Sequence, residues 1–385
     1  MRIALALLLA LRVTAPASAA QIRRNPAGEI YLYEVDSRRG LTSAMLSNVA
    51  IVNDGGAVLR LTRVDVELTA NGDVRGSVVL QEAQLDAAAR RMAALKSSGM
   101  LDLYDFAFQL GRYLDPATTL AGSTALQPNA ALILPPTPLL VPSGADALTI
   151  RAVGTAGGAP VETTLQVPLR QYVQKNVYRY PLRGAWLNAV GPGFSEPHRW
   201  APNEEFAMDI IRVGASGKSF KGNGSRLSDY YGRGQDVVAA ADGVVVAVEA
   251  RQPESSSRLR QPGESAEDFM KRTVAEQQTL LKNGPAGVAG NYVVIRHAGG
   301  EHSHYAHLAA HGVRVTVGAN VKQGDTIARL GSTGNSTEPH LHFGVADGPD
   351  PLYARSLPVR FSGITTADGP QEPVHLQSGW IVEAQ

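Results

Sequence analysis

The sequence predicts a mainly β protein with two folded regions: an N-terminal β-sandwich-like domain with a helical insertion, and a C-terminal compact antiparallel β domain. Three observations support this fold class. Short alternating apolar segments recur in both halves of the 385-residue chain, turns rich in glycine and asparagine separate many of them, and one stretch of the first half has helical composition. Because the length exceeds one typical domain, we predict a first domain at residues 21–176, a second at 177–360 and a C-terminal extension at 361–385.

The first twenty residues have the pattern of an export signal. Arg2 precedes a short apolar run, Arg12 ends it, and Ala-Ser-Ala at residues 17–19 is a small-x-small cleavage pattern. The run is too short to span a membrane, and no later stretch reaches the roughly 20 apolar residues that a spanning helix needs. We therefore expect residues 1–20 to be a signal peptide and the mature protein to be exported, periplasmic or extracellular, with no membrane span.

The composition excludes several classes of protein. The chain has no cysteine, so neither disulfide bonds nor a lipidated cysteine can form. The formal net charge is +1, and removing residues 1–20 takes away only two arginines. Proteins that bind nucleic acids or anionic membranes need a clustered basic surface, which this balance does not indicate. We expect no nucleic-acid partner, and a fold that depends on its hydrophobic cores.

The first region is predicted to be an antiparallel sandwich. Its strands are expected at residues 29–35, 50–52, 58–68, 148–153 and 163–167. Residues 81–95 predict a helix that ends near Gly99, and the apolar stretch 100–114 is compatible with a second one. The proline-rich run 135–142 predicts a stiff loop. Because this region holds no histidine and its carboxylates are scattered, we predict a packing or targeting module.

A His-x-His pair near the C-terminal end is the strongest chemical feature of the second region. His340 and His342 follow Pro339, which fits the first residue of a strand. In a strand, side chains two residues apart leave the same face about 7 Å apart, so both imidazoles would face one space. Such a pair suits a catalytic metal site, in which one ring binds the ion and the other handles protons. Because a bare His-x-His pair is more often incidental, a metal site needs further ligands.

Asp209 is the next candidate, because the run of residues 206–211 is apolar on both sides of it. A charged carboxylate in such a run is costly to bury unless a cation or a metal pairs with it. His198 lies eleven positions earlier, and two antiparallel strands joined by a loop could bring the two side chains together. Taken alone, each residue has an ordinary alternative, a surface histidine and a salt-bridged aspartate.

Five motifs of the second region occur in a characteristic order. They are DGVV at residues 242–245, NYVVI at 291–295, YAHL at 305–308, VKQGD at 321–325 and GNSTEPHLHF at 334–343. In this order they resemble the lysostaphin and LytM-type zinc metalloendopeptidases, a family of peptidoglycan hydrolases. The resemblance covers about residues 195–350 and identifies the second region as a metallopeptidase domain.

The resemblance implies a zinc ion (Zn2+) held by His198, Asp209 and His342, with His307 and His340 as the catalytic residues. Three protein ligands leave a fourth position for water, as hydrolysis requires. The implied function is that of an exported zinc-dependent endopeptidase that hydrolyses the peptide cross-links of bacterial peptidoglycan. Its partners would be peptidoglycan peptides and other proteins of the cell wall.

Two features depart from the family pattern. Ten residues separate His198 from Asp209, where three are usual, and residues 251–290 form an insertion. Within the insertion, Ser265 is predicted to cap a helix with a largely apolar stripe. That helix is either a packed surface helix or a wall over the substrate groove.

Two other functions are compatible with parts of this pattern. One is a non-catalytic regulator of another cell-wall hydrolase, a class whose members typically lack several metal ligands. The other is a carrier domain of the biotinyl or lipoyl type, suggested by the glycine-punctuated strands around Gly324. Such a carrier needs a modifiable lysine at a hairpin tip, and Lys322 lacks the usual flanking pattern.

Local patterns also predict the surroundings of the candidate site. Asp242-Gly243 lies between two β-like apolar runs and predicts a hairpin. His302 and His304 share strand parity with each other but not with His307, so they need not face the metal, although His304 could line the groove. The histidines expected on the surface are His297, His311 and His375.

Overall fold

Two groups of strands follow one another along the chain, and they confirm the predicted mainly β fold class. The computed structural model describes residues 20–36, 39–371 and 373–385, so residues 1–19 of the predicted signal peptide lie outside the described residues. The first group of strands lies within residues 21–171 and the second within residues 178–384. Every helix in the described ranges is too short or too polar to cross a membrane.

The first group forms two sheets that share one core. Its strands are β1 (Gln21–Arg24), β2 (Ile30–Asp36), β3 (Leu41–Leu46), β4 (Val49–Val52), β5 (Leu59–Ala70), β6 (Asp73–Gln81), β7 (Thr119–Leu120), β8 (Ala125–Leu126), β9 (Ala130–Ile133), β10 (Thr137–Val141), β11 (Ala147–Ala156) and β12 (Ala159–Gln171). One sheet has the order β1-β4-β9-β7. The other has the order β10-β3-β2-β12-β11-β5-β6, with β8 paired to β5.

Strands β4 and β9 are apolar at every position because both of their faces are buried. Ile51 and Leu132 point into the core shared by the two sheets. Val52 and Ile133 leave the opposite face and pack against the helical insertion. Alternating strands elsewhere bury one face only, so these two strands mark where the helices cover the sandwich.

The helical insertion consists of α1 (Glu82–Ser97), α2 (Met100–Leu103) and α3 (Asp105–Phe108), followed by a 3-10 turn. The helix predicted over residues 81–95 is confirmed. The stretch 100–114 does not form one helix, because Gln109 adopts a left-handed conformation with φ 46°. Its buried amide donates to Phe106 O and accepts from Asn25 Nδ2, which holds the chain in this turn.

The proline-rich run 135–142 contains a strand, so the prediction of a loop was wrong. Residues of β10 pair antiparallel with β3, with Pro138 opposite Met45. β10 is the edge strand of its sheet, and an edge strand is where a proline, which lacks the N–H, is tolerated.

The second group of strands is built mainly on one large sheet. Its elements are β13 (Tyr178–Arg179), β14 (Gly184–Val190), β15 (Met208–Ile211), β16 (Asp236–Val238), β17 (Gly243–Glu249), α4 (Ala266–Leu281), α5 (Gly284–Ala289), β18 (Asn291–Arg296), β19 (His302–Leu308), β20 (Asn320–Val321), β21 (Thr326–Arg329), β22 (Leu341–Ala346), β23 (Ser356–Leu357), β24 (Phe361–Ser362), β25 (Ile364–Thr366), β26 (Gly369–Gln371) and β27 (Ile381–Ala384). The sheet order is β20-β17-β18-β19-β22-β15-β14-β27-β25-β26, with β23 paired to β22.

The three strands that carry the candidate site, β19, β22 and β15, are neighbours in the middle of this sheet. The predicted C-terminal extension belongs to the same sheet, because β27 pairs with β14 on one side and with β25 on the other. The apolar residues between the strands form one core that runs from Tyr178 to Ala384.

The hairpin predicted at Asp242-Gly243 is not formed. β16 pairs with β21, and β17 pairs with β18, so the chain leaves one sheet and enters another at this point. The Asp242 carboxylate accepts hydrogen bonds from Lys322 Nζ and Gln323 N, both at 2.8 Å. These long-range partners take the place of the local turn.

Two of the histidines expected on the surface are buried. His297 Nδ1 lies 2.8 Å from Asp242 O, and its Nε2 lies 2.7 Å from Ser303 Oγ. His375 stacks on Tyr33 of the first group at 4.4 Å between ring centroids. Burial lowers the pKa of both imidazoles. They are neutral packing residues, and their sequence surroundings gave no sign of the distant partners that cover them.

The buried carboxylate of Glu301 binds the linker, residues 172–177, between the two groups of strands. Its Oε1 accepts hydrogen bonds from Tyr172 Oη at 2.7 Å and from Lys175 N at 2.8 Å. Its Oε2 accepts from Asn176 Nδ2 at 2.6 Å and from Tyr178 Oη at 2.9 Å. Burial opposes the charge, yet these hydrogen bonds hold the pKa of Glu301 below its ordinary value. The linker is therefore docked rather than free.

We expect Glu301→Gln to lower the free energy of unfolding by about 2–4 kcal/mol at pH 7, because an amide NH2 would face donors inside the protein. A depressed folded-state pKa contributes stability that is present above the ordinary glutamate pKa of 4.5 and is lost as the pH falls below it. Urea unfolding of parent and variant should therefore differ at pH 7 and converge at low pH. Exposed Glu267→Gln is the control, and equal stabilities at pH 7 would contradict the role of Glu301.

Candidate metal centre

Asp209 and His342 face each other on neighbouring strands. The register of β15 and β22 places Asp209 opposite His342, so both side chains leave the same face of the sheet. Asp209 Oδ1 lies 2.9 Å from His342 Nδ1. The flanking Met208 and Ile210 are buried in the core on the other face. The apolar run that made Asp209 a candidate is thus a strand. Met208 and Ile210 face the core, and Asp209, between them, points away from it.

His198 reaches the same point from a loop. It lies on a 3-10 helix, Pro197–Trp200, and its Nε2 is 3.5 Å from Asp209 Oδ2. Its Nδ1 is 3.3 Å from Ala207 O, a carbonyl that can only accept, so Nδ1 carries the proton. The donor atoms of His198, Asp209 and His342 all lie within 4.8 Å of one another. The ten-residue spacing therefore does not keep His198 from Asp209.

The charges of this group are strongly coupled. Burial works against the ionised form of Asp209, but His198 and His340 hold the pKa of its carboxyl well below the usual range. Burial likewise opposes protonation of His198, and the Asp209 carboxylate more than offsets it, raising the pKa of His198 to about 10. A half-buried carboxylate that draws positive charge to itself in this way is a suitable ligand for a cation.

A β-bulge turns His307 toward the same cavity. Between β18 and β19 the register slips by one residue, with Asn291 opposite Leu308 and Val293 opposite Tyr305. His307 sits in this slip with φ 60°, in the left-handed region. Simple alternation would have pointed its side chain to the core side, where Tyr305 is buried. The bulge re-aims it, as bulges beside functional sites commonly do.

His307 and His340 lie together beside the three proposed ligands. Their ring centroids are 4.6 Å apart, and His307 is 5.8 Å from the ring of His342. His307 Nδ1 lies 2.9 Å from Thr333 O, and burial together with the neighbouring imidazoles holds the pKa of His307 well below its usual value. His307 is therefore neutral, with Nδ1 protonated and Nε2 free to accept a proton.

His340 is fixed by the loop that precedes β22. Its Nδ1 is 2.8 Å from Glu338 O and 3.2 Å from Ser336 Oγ, while its Nε2 is 3.5 Å from Asp209 Oδ1. Burial opposes protonation, but Asp209 raises the pKa of His340 above its ordinary value. All five residues predicted from the sequence are thus brought into one cluster.

The insertion holds this loop through a buried arginine that sequence reasoning did not identify. Arg258 Nη2 donates to Asn335 Oδ1 at 2.8 Å, and its Nε donates to Ser336 O at 3.3 Å. Its third contact is Glu276 Oε2 on α4, at 3.1 Å. Ser336 in turn contacts the His340 ring, so the insertion is connected to His340 through two residues.

A cavity of about 860 Å³ opens onto the cluster. Side chains of the helical insertion in the first half of the chain form one wall, namely Arg91, Met92, Leu95, Tyr104, Phe106 and Phe108. Met270 and Val274 of α4 form part of another wall, and Ser265 caps that helix as predicted, accepting from Asp268 N at 3.0 Å. The α4 helix is therefore a wall of the groove. No sequence signal connected the first half of the chain with this cavity.

His304 lines the cavity as well. Its Nε2 lies 2.9 Å from Gly348 O, and burial lowers its pKa to about 4. Ala306 lies opposite His342 in the register of β19 and β22, and His304 lies two residues earlier on the same face. His304 is thus neutral and lines the groove, and its Nε2 is already hydrogen-bonded to the backbone carbonyl of Gly348.

Comparison with known proteins gives one family match. Residues 273–353 match Peptidase family M23. The matched stretch includes His307, His340 and His342, whereas His198 and Asp209 precede it. Strand pairing and the 3-10 helix bring these two residues to the matched part.

Individual relatives are similar over short stretches. The DD-carboxypeptidase/endopeptidase Mpg of Neisseria meningitidis serogroup B is 40% identical over 85 residues, which are 22% of this chain and 19% of that protein. The peptidoglycan DD-endopeptidase ShyC of Vibrio cholerae serotype O1 is 50% identical over 54 residues, 14% of this chain and 12% of that protein. The chain thus spans about a fifth or less of the length of these curated relatives. The crystal structure of a zinc containing peptidase from Vibrio cholerae aligns with 84% of this chain and 83% of its own, at 15% identity and a TM-score of 0.25.

Proposed function

Because residues 273–353 carry the sequence of a Peptidase family M23 domain, we propose that the protein is an exported zinc-dependent endopeptidase that hydrolyses peptide cross-links of bacterial peptidoglycan. The observation that carries this proposal is the cluster of His198, Asp209 and His342 beside His307 and His340. The similarity to two proteins named as endopeptidases, one of them a peptidoglycan DD-endopeptidase, supports the choice of substrate.

The three proposed ligands fit zinc in chemistry and in spacing. Zinc binds imidazole nitrogen and carboxylate oxygen at about 2.0–2.2 Å, so the donors of a tetrahedral site lie roughly 3.4 Å from one another. His198 Nε2 and Asp209 Oδ2 are 3.5 Å apart, and His342 Nδ1 lies 2.9 Å from the other Asp209 oxygen, Oδ1. The bond from His198 Nδ1 to Ala207 O leaves Nε2 as the ligand nitrogen, which is the usual arrangement of metal-binding histidines. We therefore assign His198, Asp209 and His342 as the zinc ligands.

When bound, zinc would act as a Lewis acid that polarises the scissile carbonyl and acidifies water. The chain's own contribution comes from two histidines. His307 is held neutral with its Nδ1–H directed to Thr333 O, so its Nε2 can accept a proton. His340 directs its Nδ1–H to Glu338 O and, in the protonated form that the Asp209 carboxylate favours, can donate from Nε2 to an oxygen that becomes negative during the reaction.

The two other functions have less structural support. A non-catalytic regulator has no need of the donor set that His198, Asp209 and His342 supply. A carrier domain has no use for the histidine cluster and its cavity, and the Nζ of the only nearby lysine, Lys322, is ion-paired with Asp242 at 2.8 Å. The endopeptidase is therefore the function that this geometry supports best.

The proposal is tested by the zinc content of the purified mature protein beside His198→Ala, with peptidoglycan digestion assayed on the same samples. We expect one zinc per chain in the parent, and loss of both zinc and digestion in the variant. His311→Ala is the control, because this histidine is exposed and distant in sequence from the ligands. A metal-free parent that stays inactive after zinc is added would favour the regulator.

The contact between the insertion and the His340 loop gives a separate prediction. We expect Arg258→Met to lower kcat roughly tenfold while zinc content stays unchanged, because Asn335 and Ser336 lose their buried donor and the His340 ring becomes less well oriented. Arg260→Met on the same insertion is the matched control, since Arg260 is exposed and contacts only the backbone of Glu264 among the described hydrogen bonds. Equal kcat values for the two variants would contradict the positioning role of Arg258.

A further inference from the structure

Arg199, the residue next to His198, is fully buried and lies between the two halves of the chain. Its exposed fraction is 0%. Its Nη1 donates to Ser43 Oγ at 2.6 Å and also contacts Gly193 O, and its Nη2 donates to Glu205 Oε1 at 3.1 Å. These contacts pair both terminal nitrogens, whereas Nε has no hydrogen-bond partner among the described residues. Because a buried cation is costly without such partners, they favour one position for Arg199.

The loop that carries His198 is organised around this guanidinium. The Arg199 side chain contacts Gly193 before it and Glu205 after it, and it lies over the Phe206 ring at 5.4 Å. Between the end of β14 and the start of β15 the loop contains no strand that could fix its position by pairing. The contacts of Arg199 hold the segment on the side of the sandwich, while Ser356 holds it on the other side, donating from N to Pro202 O and accepting at Oγ from Phe206 N.

The same loop sets the geometry of two proposed ligands. The Glu204 carbonyl accepts from Ala207 N at 2.8 Å, and the Ala207 carbonyl lies 3.3 Å from His198 Nδ1. Asp209 follows two residues later, on β15. A shift of the loop would thus move His198 relative to Asp209. Because ten residues separate the two ligands, the distance between them depends on the contacts that hold the loop.

One of the partners of Arg199 belongs to the N-terminal sandwich. Ser43 lies on β3, is 0% exposed, and donates from Oγ to Gly193 O at 2.7 Å while it accepts from Arg199. Its strand is paired on both sides, with β10 (Thr137–Val141) on one and β2 on the other. The hydroxyl therefore comes from a rigid sheet.

From these contacts we propose that Arg199 is a positioning residue for His198, and that the N-terminal sandwich, through Ser43, is a structural part of the metal centre. This inference rests on the proposed zinc site. It assigns to the first half of the chain a role beyond packing or targeting: the sandwich sets the affinity of the site for zinc. The loop and the sandwich act as one unit, so zinc binding and the contact between the two halves are coupled.

The test is the zinc dissociation constant of the full mature chain, measured by competition with a chelator after metal removal. We expect Ser43→Ala to weaken zinc binding several-fold and Arg199→Met to weaken it roughly 10- to 100-fold, the range found when outer partners of metal ligands are removed. Ser43→Ala is the milder variant, and it keeps the experiment informative where Arg199→Met fails to fold.

Tyr33→Phe is the matched control. Tyr33 Oη donates to Leu376 O at 2.6 Å, so this variant also removes one buried hydrogen bond between the two halves of the chain, but one outside the His198 loop. We expect Tyr33→Phe to keep the zinc affinity of the parent within twofold. The visible spectrum of the cobalt(II)-substituted proteins gives a second readout, since it reports the coordination geometry: it should change in Ser43→Ala and stay unchanged in Tyr33→Phe.

The outcomes separate this inference from the proposed function. A parent that binds no zinc would overturn the proposed function itself. A parent that binds zinc, with Ser43→Ala equal to Tyr33→Phe in affinity and in cobalt spectrum, would overturn only the positioning role of Arg199 and Ser43. Weaker zinc binding in Ser43→Ala and Arg199→Met, but not in Tyr33→Phe, supports the inference.

Discussion

Asp209→Asn is expected to lose stoichiometric zinc and all measurable peptidoglycan digestion, with zinc affinity reduced at least a hundredfold. The variant keeps the size of the side chain but removes the negative charge that His198 and His342 face at 3.5 and 2.9 Å. His342→Ala should have the same result. The measurement is zinc per chain after dialysis, together with the dissociation constant.

The control for this experiment is Asp242→Asn. Asp242 is exposed and pairs with Lys322 on another part of the sheet, so its loss should leave zinc binding unchanged. Zinc retained at full stoichiometry in Asp209→Asn would rule out the ligand assignment, whatever the activity of the variant.

His307→Ala and His340→Ala should each keep zinc and lose turnover. We expect kcat to fall by roughly 10²- to 10⁴-fold, the usual contribution of a positioned acid or base. Neither ring belongs to the group of three donors within 4.8 Å, but both lie beside it, with 4.6 Å between their centroids. Steady-state kinetics and zinc analysis on the same preparations test this split.

His304→Ala provides the comparison within the cavity. Its Nε2 is bonded to Gly348 O, so its removal should change kcat much less than the loss of His307. A kcat of His307→Ala equal to that of the parent would contradict the role of His307 as the proton acceptor. Zinc lost from His340→Ala would instead make His340 a ligand.

Local sequence patterns predicted individual residues of the site and the helix beside it better than they predicted which distant residues contact them. The apolar run around Asp209 indicated a carboxylate that needed a partner, and the strand register supplies His342 as that partner. The cap of α4 at Ser265 followed from residue type alone. These features depend on neighbours in sequence, which is why the sequence contained enough information for them.

Features set by distant partners could not be predicted in this way. Strict alternation from Tyr305 would put His307 on the core side, and only the register slip against β18 turns it to the cavity, so the parity argument that separated His304 from His307 does not hold. No local pattern singled out Arg199 or Arg258, because the groups that contact their guanidinium atoms come from Ser43 and from the loop at Asn335. The predicted Asp242-Gly243 hairpin failed for the same reason: pairing partners far along the chain replaced the local turn.

The place of β27 in the large sheet has a consequence for how the molecule folds. β14 pairs on one side with β15, the strand of Asp209. On its other side it pairs with β27, where Leu187 lies opposite Ile381. Strand pairs between residues so distant along the chain form slowly, because closing the long intervening segment costs conformational entropy before the contacts are gained. During synthesis of the chain, the edge of β14 that faces away from the Asp209 strand therefore stays unpaired until β27 has formed.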